Sequence, residues 1–408
     1  MSNGLEQRTG EKKQLHMAIL VTGIIFISFN LRPGITSVGP LIGLIRDDYG
    51  LVNWSAAFLT SLPLLGFAAM SPIVPFLGNR YSNERIMVFG LLLLIAGISM
   101  RSVSVVFLLF VGTAFVGLGI AICNVLLPGV IKEHFPTKVA LMTSIYSTTM
   151  AVFAAVASGI SVPIAVGLNW GWNSALLLWT IPAIFAALIW VFLSKRSNAS
   201  RDTGLKYVTK GDGRIWKSPL AWQVALFMGL QSSLFYVTIS WLPEMLYDFG
   251  IHRSTAGWLL SYTQIIGMPA SLVIPIIAGR MKSQAPIVLS LCTCAAIGYV
   301  GLLIGNSFPV LVISTTLVGI ALGGNFALAL TFLAIRARNA KHAAYLSGMA
   351  QSIGYLIAAV GPISIGFLYD VTNAWIYPLI TLIVITLLVM FFGVKAGQDR
   401  FVLEERSE

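Results

Sequence analysis

Long apolar runs separated by short polar segments make up most of the chain. Twelve of these runs have the length that crosses a hydrocarbon layer of about 30 Å as a helix. The predicted membrane-spanning helices lie at residues 17-45, 53-77, 85-100, 105-131, 138-167, 173-194, 218-246, 254-278, 284-304, 308-335, 342-369 and 373-394. The predicted fold class is therefore an all-α membrane protein with twelve transmembrane helices.

Composition agrees with this pattern. Hydrophobic residues make up 57% of the 408 residues and charged residues 10%, whereas soluble domains carry about 25% charged residues. The three cysteines, Cys123, Cys292 and Cys294, lie in apolar runs and are interpreted as small core residues. We therefore expect no disulfide scaffold, no metal and no cofactor.

The positions of Lys and Arg explain the net charge of +11. If the N-terminus is cytoplasmic, 22 of the 26 basic residues fall in cytoplasmic segments. Arg46, Arg101 and Arg253 fall outside, and Arg32 lies within the first run. This asymmetry predicts cytoplasmic termini and a multi-pass protein of a bacterial plasma membrane, and it requires no nucleic-acid partner. No cleavage pattern follows the first run, so we expect a retained helix and not a signal peptide.

The second half of the chain repeats the first at a period of about 200 residues. Asp48-Tyr49-Gly50 is echoed by Asp248-Phe249-Gly250, and Arg80 and Arg280 each lie 32 residues beyond the corresponding Asp. Similar glycine-rich motifs end at Asn124 and Asn325. Two related six-helix bundles are typical of secondary transporters that alternate access to a site at the midplane.

This repeat predicts five parts. They are a cytoplasmic N-terminal segment at 1-16, an N-terminal six-helix bundle at 17-194, a cytoplasmic linker at 195-217, a C-terminal six-helix bundle at 218-394, and a cytoplasmic tail at 395-408. The linker is the longest polar stretch between runs, which favours a solvated loop at the lipid headgroups.

With this repeat, the chain resembles the major facilitator superfamily over nearly its whole length. Asn30-Leu31-Arg32-Pro33, together with the fourth and tenth helices, resembles the branch of cyanate permeases and nitroimidazole transporters. The resemblance implies two pseudo-symmetric bundles in which helices one, four, seven and ten line a cavity. We expect a monomer whose partners are membrane lipid and a small-molecule substrate of anionic character.

The segment between the second and third helices matches the superfamily's loop signature in part. It reads Leu77-Gly78-Asn79-Arg80-Tyr81-Ser82-Asn83-Glu84-Arg85, with Asn where Asp is expected. The resemblance implies a gating role at the cytoplasmic face for Arg80, Glu84, Arg85 and Arg280, since a guanidinium can clamp carbonyls and carboxylates of neighbouring helix ends. The alternative is that Arg80 and Arg280 only fix topology.

Arg32 is the strongest candidate for binding a substrate. It lies next to the midpoint of the first run, where a charged side chain costs about 2.5–3.5 kcal/mol on insertion scales. No acidic residue lies deep in a predicted span to neutralise it. An anionic or electron-rich substrate would satisfy the planar guanidinium. The alternative is an Arg bonded to helix carbonyls that Pro33 leaves free.

Other polar residues near the predicted midplanes are candidates for the same site. Each has an alternative role as a hydrogen bond between helices. They are Asn30, Asn124, Asn325, Gln231, Tyr236, Gln264, Tyr146, Gln351 and Tyr355. By contrast, the tryptophans near span ends, among them Trp172, Trp241 and Trp375, are interpreted as anchors at the membrane interface.

No catalytic motif is present: there is no Gly-x-Ser-x-Gly, His-Glu-x-x-His or phosphate-binding glycine loop, so an enzyme is not expected. The chain is predicted to be a secondary active or facilitative transporter. It would carry a small anion, cyanate-like or organic, across the plasma membrane by alternating access, with Arg32 as the central cation. The alternative is an efflux transporter for nitroimidazole-type or other small drug-like compounds.

Overall fold

A computed structural model describes residues 2–135, 138–196, 213–305, 307–338 and 340–402, and these residues contain helices and no strand. Twelve helical segments are long and apolar enough to cross a membrane. The predicted all-α membrane fold with twelve spans is thereby confirmed. Most of the predicted linker, at 197–212, and the end of the tail, at 403–408, lie outside the described residues.

The spans follow one another with short connections. The helix Ser2–Leu31 leads into the first span, Met17–Tyr49, which continues through Pro33–Thr36, a 3-10 turn at Gly39–Leu41, and Ile42–Tyr49. The next five are Asn53–Arg80, Asn83–Arg101, Val106–His134, Val139–Val162 with a π-helical turn at Pro163–Gly167, and Gly171–Leu177 followed by Thr180–Arg196. After a 3-10 helix at Gly213–Lys217, the last six are Pro219–Asp248, Arg253–Arg280, Ala285–Ile304, Phe308–Ile335, Ala340–Thr372 and Ile376–Ala396.

The first span differs from the continuous helix predicted at 17-45. Its first α-helix ends at Leu31, a single α-helical turn follows at Pro33–Thr36, and a longer α-helix resumes at Ile42. Pro33 and Pro40 lie in this interruption, where each lacks the N–H that a helix needs and crowds the preceding turn. Arg32 is thus the first residue beyond a helix end in the middle of a span.

Three apolar cores hold the spans together. One consists mainly of residues from the last six spans, one mainly of residues from the first six, and the third, which is smaller, only of residues from the first six. The second span packs along the eleventh, and the fifth along the eighth. These two pairs connect the halves on either side of the space that the first, seventh and tenth spans border.

The repeated Asp residues lie at one end of the molecule, together with Tyr49 and Asn53. We call it the outer end because the charge pattern predicts that it faces outside. The indole N–H of Trp172 donates to Asp48 at 3.0 Å, and that of Trp375 donates to Asp248 at 2.7 Å. In both halves the repeated Asp therefore ties the end of one span to the start of another. Trp172, Trp241 and Trp375 are buried, so their interpretation as interface anchors was wrong.

The halves meet at the outer end through a group of charged and polar side chains, which we call the outer cluster. From the first half it contains Arg46, Asp47 and Asn53, and from the second half Glu244, Arg253 and Asp370. Arg253 donates to Glu244 at 2.9 Å, and Arg46 approaches Glu244 at 3.6 Å. Glu244 is nearly inaccessible, whereas 54% of the Asp47 side chain is exposed.

A second contact in the outer cluster joins helix ends. Asp370 of the eleventh span accepts from the backbone N–H groups of Asn53 and Trp54 at 3.0 and 2.9 Å. These are free donors at the start of the second span, and a carboxylate there is also favoured by the helix dipole. Deeper in, Ser240 donates to Thr60 at 2.7 Å. The space between the halves is therefore closed at the outer end.

The orientation of the spans predicts which loops face which compartment. In a variant whose native cysteines are replaced, a cysteine placed in 195-217 should react with an impermeant maleimide only from the cytoplasm. One placed at Asn169, in the turn between the fifth and sixth spans, should react only from outside. Labelling of whole cells and of inverted vesicles checks this, and reaction of both positions from the same face would contradict the topology.

Candidate substrate-binding site

Arg32 lies half-buried between the halves. Its guanidinium carbon is 5.1 Å from the ring centroid of Phe235 on the seventh span and 5.4 Å from that of Phe326 on the tenth. In the part of the chain that the structure describes, the side chain makes no ion pair and no hydrogen bond, including to the carbonyls near Pro33. Both ring contacts are cation–π contacts, so one cation faces two rings of the opposite half.

Three of the predicted tyrosines lie around this cation. Arg32 is close enough to Tyr236 and Tyr355 to act on their phenol groups electrostatically, and Tyr146 lies within the same range of Tyr355. All three phenols are half-buried. They come from the fifth, seventh and eleventh spans, so the site combines both halves of the chain.

Further aromatic rings pack next to residues of the site, and they were not predicted from the sequence. Phe29 of the first span stacks on Phe153 of the fifth, with centroids 3.8 Å apart. Phe67 of the second span lies 5.0 Å from Tyr355. The sequence did contain a signal, since Phe235 directly precedes the predicted site residue Tyr236 and Phe326 directly follows Asn325. An apolar residue within an apolar span nevertheless has no pattern that distinguishes it.

Three predicted amide residues lie deeper in the helix packing than Arg32. Asn30 donates to the carbonyl of Phe26 at 2.7 Å, and Gln231 donates to Ser232 at 2.8 Å. The amide nitrogen of Asn325 lies 3.9 Å from the Cys292 sulfur. The side-chain oxygens of all three are buried and have no hydrogen-bond partner among the described residues. Each amide thus has an unused acceptor next to the site.

The remaining predicted site residues lie around the space between the halves. Gln264 of the eighth span donates to Ser158 of the fifth at 2.8 Å, so it bonds across the halves. Gln351 donates to Ser347 of its own helix at 2.7 Å. Asn124 is half-buried on the fourth span. Neither these two hydrogen bonds nor the burial of Asn124 tests whether the residue binds substrate.

The predicted gating residues lie at the opposite end from the outer cluster. Glu84 is buried and pairs with His134 at 3.4 Å across the ends of the third and fourth spans. This hydrogen bond raises the pKa of His134 above its usual value, and burial of the ring acts in the opposite direction. Arg85 and Arg280 are exposed, and the Arg80 side chain lies outside the described residues.

The described residues contain no group of three or more His, Cys, Asp or Glu side chains that could hold a metal. What the site offers instead is one positive charge, phenol hydroxyl groups and flat aromatic faces. A half-buried cation favours an anion or the electron-rich edge of a polar group. The rings favour a flat ligand because aromatic faces stack.

Comparison with known proteins places this chain and its fold among transporters. The model of the Major Facilitator Superfamily matches residues 18–362 and 236–407. A solved structure of a D-xylose–proton symporter is similar with a TM-score of 0.72 at 14% identity, covering 96% of this chain and 98% of that one. At that identity the likeness concerns the fold alone.

Three relatives match at the level of sequence. An uncharacterized transporter, YycB, of Bacillus subtilis is 46% identical, covering 97% of this chain and 98% of its own. A 2-nitroimidazole transporter of Escherichia coli is 40% identical, covering 94% and 96%. The cyanate transport protein CynX of Escherichia coli is 27% identical, covering 86% and 90%. The predicted resemblance to the cyanate and nitroimidazole branch is thereby confirmed.

Proposed function

Because the chain belongs to the Major Facilitator Superfamily, we propose that it carries a compact planar compound that ends in electron-rich oxygens. The superfamily and the relatives make it a multi-pass membrane transporter of a small molecule and not an enzyme. The substrate class is the proposed part. It comprises planar carboxylates and nitro-substituted heterocycles, in which two oxygens present the same geometry to a guanidinium.

Arg32 carries this proposal. Its guanidinium has no acidic partner among the described residues and lies half-buried between the halves. A planar fork of N–H donors matches two coplanar oxygens better than it matches the single end of a linear anion. An anion or a nitro group would therefore supply the partner that the protein does not.

The aromatic rings favour a ring-containing substrate over cyanate itself. Phe235 and Phe326 flank the cation, and Phe29 and Phe153 stack nearby. A ring bound to Arg32 would cover these faces, whereas a triatomic anion would leave them exposed to water. This observation favours the nitroimidazole alternative, which the 40% identity to a 2-nitroimidazole transporter supports.

The unused amide oxygens fit the same class. Asn30 and Asn325 have buried acceptors with no donor among the described residues, and unsatisfied buried acceptors are costly. A small side-chain movement would allow either oxygen to accept from an N–H of a heterocyclic substrate. Asn124, Gln231, Gln264 and Gln351 would contribute in other states of the transport cycle.

The rest of the proposal concerns the transport cycle and the protein's location in the cell. We propose alternating access in a bacterial plasma membrane by a monomer surrounded by lipid, with both termini cytoplasmic. Arg80, Glu84, Arg85 and Arg280 would act at the cytoplasmic gate, and the outer cluster would form the gate at the opposite end. The closed outer end in this structure corresponds to a state that is not open to the outside.

A thermal-shift screen of the purified protein tests the substrate class. A ligand at 100 times its dissociation constant adds about 2.7 kcal/mol to stability. We expect 2-nitroimidazole or benzoate to raise the midpoint, and imidazole and benzamide, which lack the paired oxygens, to leave it unchanged. Stabilisation by cyanate alone, or by imidazole and 2-nitroimidazole equally, would contradict the proposed class.

A further inference from the structure

Arg101 at the end of the third span is fully buried, although the charge pattern predicts an outer loop residue. Its exposure is 0%, and its Nη1 donates to the backbone carbonyl of Gly34 at 2.6 Å. The Nε and Nη2 groups have no partner among the described residues. A guanidinium that is buried without a carboxylate is costly, so its single hydrogen bond calls for a reason.

The accepting carbonyl belongs to the interrupted part of the first span. In a regular helix the N–H of Val38 would donate to the oxygen of Gly34. Here that N–H donates to Ile35 instead, at 3.1 Å. The Gly34 carbonyl is therefore left over by the interruption, and Arg101 supplies the donor that the backbone does not.

Glycines on the fourth and first spans allow close packing around Arg101 and the carbonyl that it contacts. A Cβ on Gly112 of the fourth span would lie 2.5 Å from the Arg101 backbone nitrogen, so only glycine permits the approach. A Cβ on Gly34 would lie 2.9 Å from Ile120. Close packing on both sides leaves the guanidinium one backbone acceptor, two residues beyond Arg32.

We propose that Arg101 is a positioning residue for the substrate site. By bonding the free carbonyl of Gly34, it holds the first span in its interrupted form. The interruption places Arg32 beyond the helix end, where its side chain extends between the halves towards Phe235 and Phe326. Without this bond, the segment would wind further and turn position 32 away from the space between the halves.

The reactivity of a cysteine at position 32 tests this without any substrate. The background replaces Cys123, Cys292 and Cys294 with Ala, and R32C reports the position through its rate of reaction with a water-soluble methanethiosulfonate. Adding R101M, which keeps length but removes every donor, should lower this rate at least tenfold. Adding R101K, whose ammonium can still donate to Gly34, should leave it within about threefold.

A reporter on another span separates local from global effects. Gln351 donates to Ser347 of its own helix, so the reaction rate of Q351C should change less than twofold when R101M is added. An unchanged rate at position 32 in R101M overturns the proposal, as does an equal fall at both reporters. If R101M and R101Q both fail to accumulate while R101K is normal, Arg101 is a folding residue and the proposal also fails. None of these outcomes depends on which substrate is carried.

Discussion

Arg32→Ala should abolish saturable binding and transport while the protein still inserts and folds. The side chain is half-buried and makes no hydrogen bond or ion pair in the described part of the chain, so its removal sacrifices no such bond. Benzoate would lose a hydrogen-bonded charge pair, for which losses of about 2–5 kcal/mol are typical in binding. The neutral 2-nitroimidazole would lose hydrogen bonds to a charged group, which contribute about 1.5–3 kcal/mol. At least a 30-fold rise in the dissociation constant for 2-nitroimidazole or benzoate is expected, measured by calorimetry on purified protein.

Two further variants show whether a loss of binding in Arg32→Ala comes from the guanidinium itself. Arg32→Lys should bind weakly, because an ammonium keeps the charge and lacks the planar pair of donors. Lys217→Ala is the matched control, since Lys217 is exposed at the end of a 3-10 helix, and it should behave as wild type. Wild-type binding by Arg32→Ala would refute the site, and misfolding of Arg32→Lys would favour a structural role.

Glu244→Gln should open the outer end. The carboxylate is buried and pairs with Arg253 of its own half and with Arg46 of the other half. Breaking a buried pair leaves uncompensated charge at a cost of about 3–5 kcal/mol. The part of this cost that comes from Arg46 falls on the closed state alone, so the equilibrium should move towards outward opening. A cysteine at Ser240, which is fully buried at the contact with Thr60, should react at least tenfold faster with an impermeant maleimide from outside.

Asp47→Asn is the matched control for this cluster. Asp47 pairs with the same arginines, but more than half of its side chain is exposed, and exposed pairs contribute at most about 1 kcal/mol. It should change the rate at Ser240 less than threefold. A cysteine at Trp54, exposed at the same end, should react equally in both variants. Equal effects of Glu244→Gln and Asp47→Asn would show that burial of Glu244 is not what closes the outer end.

The membrane fold could be predicted from the sequence because the length of each apolar run and the distribution of Lys and Arg determine how a segment inserts into the bilayer. Each span is apolar on its own, so no knowledge of tertiary contacts is needed to find it. Arg32 was found for the same reason, since a charge at the midpoint of a span is costly wherever its side chain points. These predictions depend on single segments.

Contacts between segments could not be predicted in this way. Phe326 looks like any apolar residue of a span until it lies over Arg32, and Trp172 looks like an interface anchor until it bonds to Asp48. Arg101 lies at a span end in the sequence, so its burial follows only from the close approach of Gly112. The hydrogen bond from Arg101 to the Gly34 carbonyl likewise joins two spans and has no signal in the sequence.

The central claim is that Arg32 recognises paired electron-rich oxygens, and a thermodynamic cycle tests it most directly. Calorimetry would compare 2-nitroimidazole with imidazole, and benzoate with benzamide, in wild type and in Arg32→Gln. We predict that for at least one pair the wild type prefers the compound with paired oxygens at least tenfold, and that Arg32→Gln loses this preference and binds both members within about twofold of one another. A preference of equal size in wild type and Arg32→Gln would contradict the assignment of Arg32 as the substrate-binding cation.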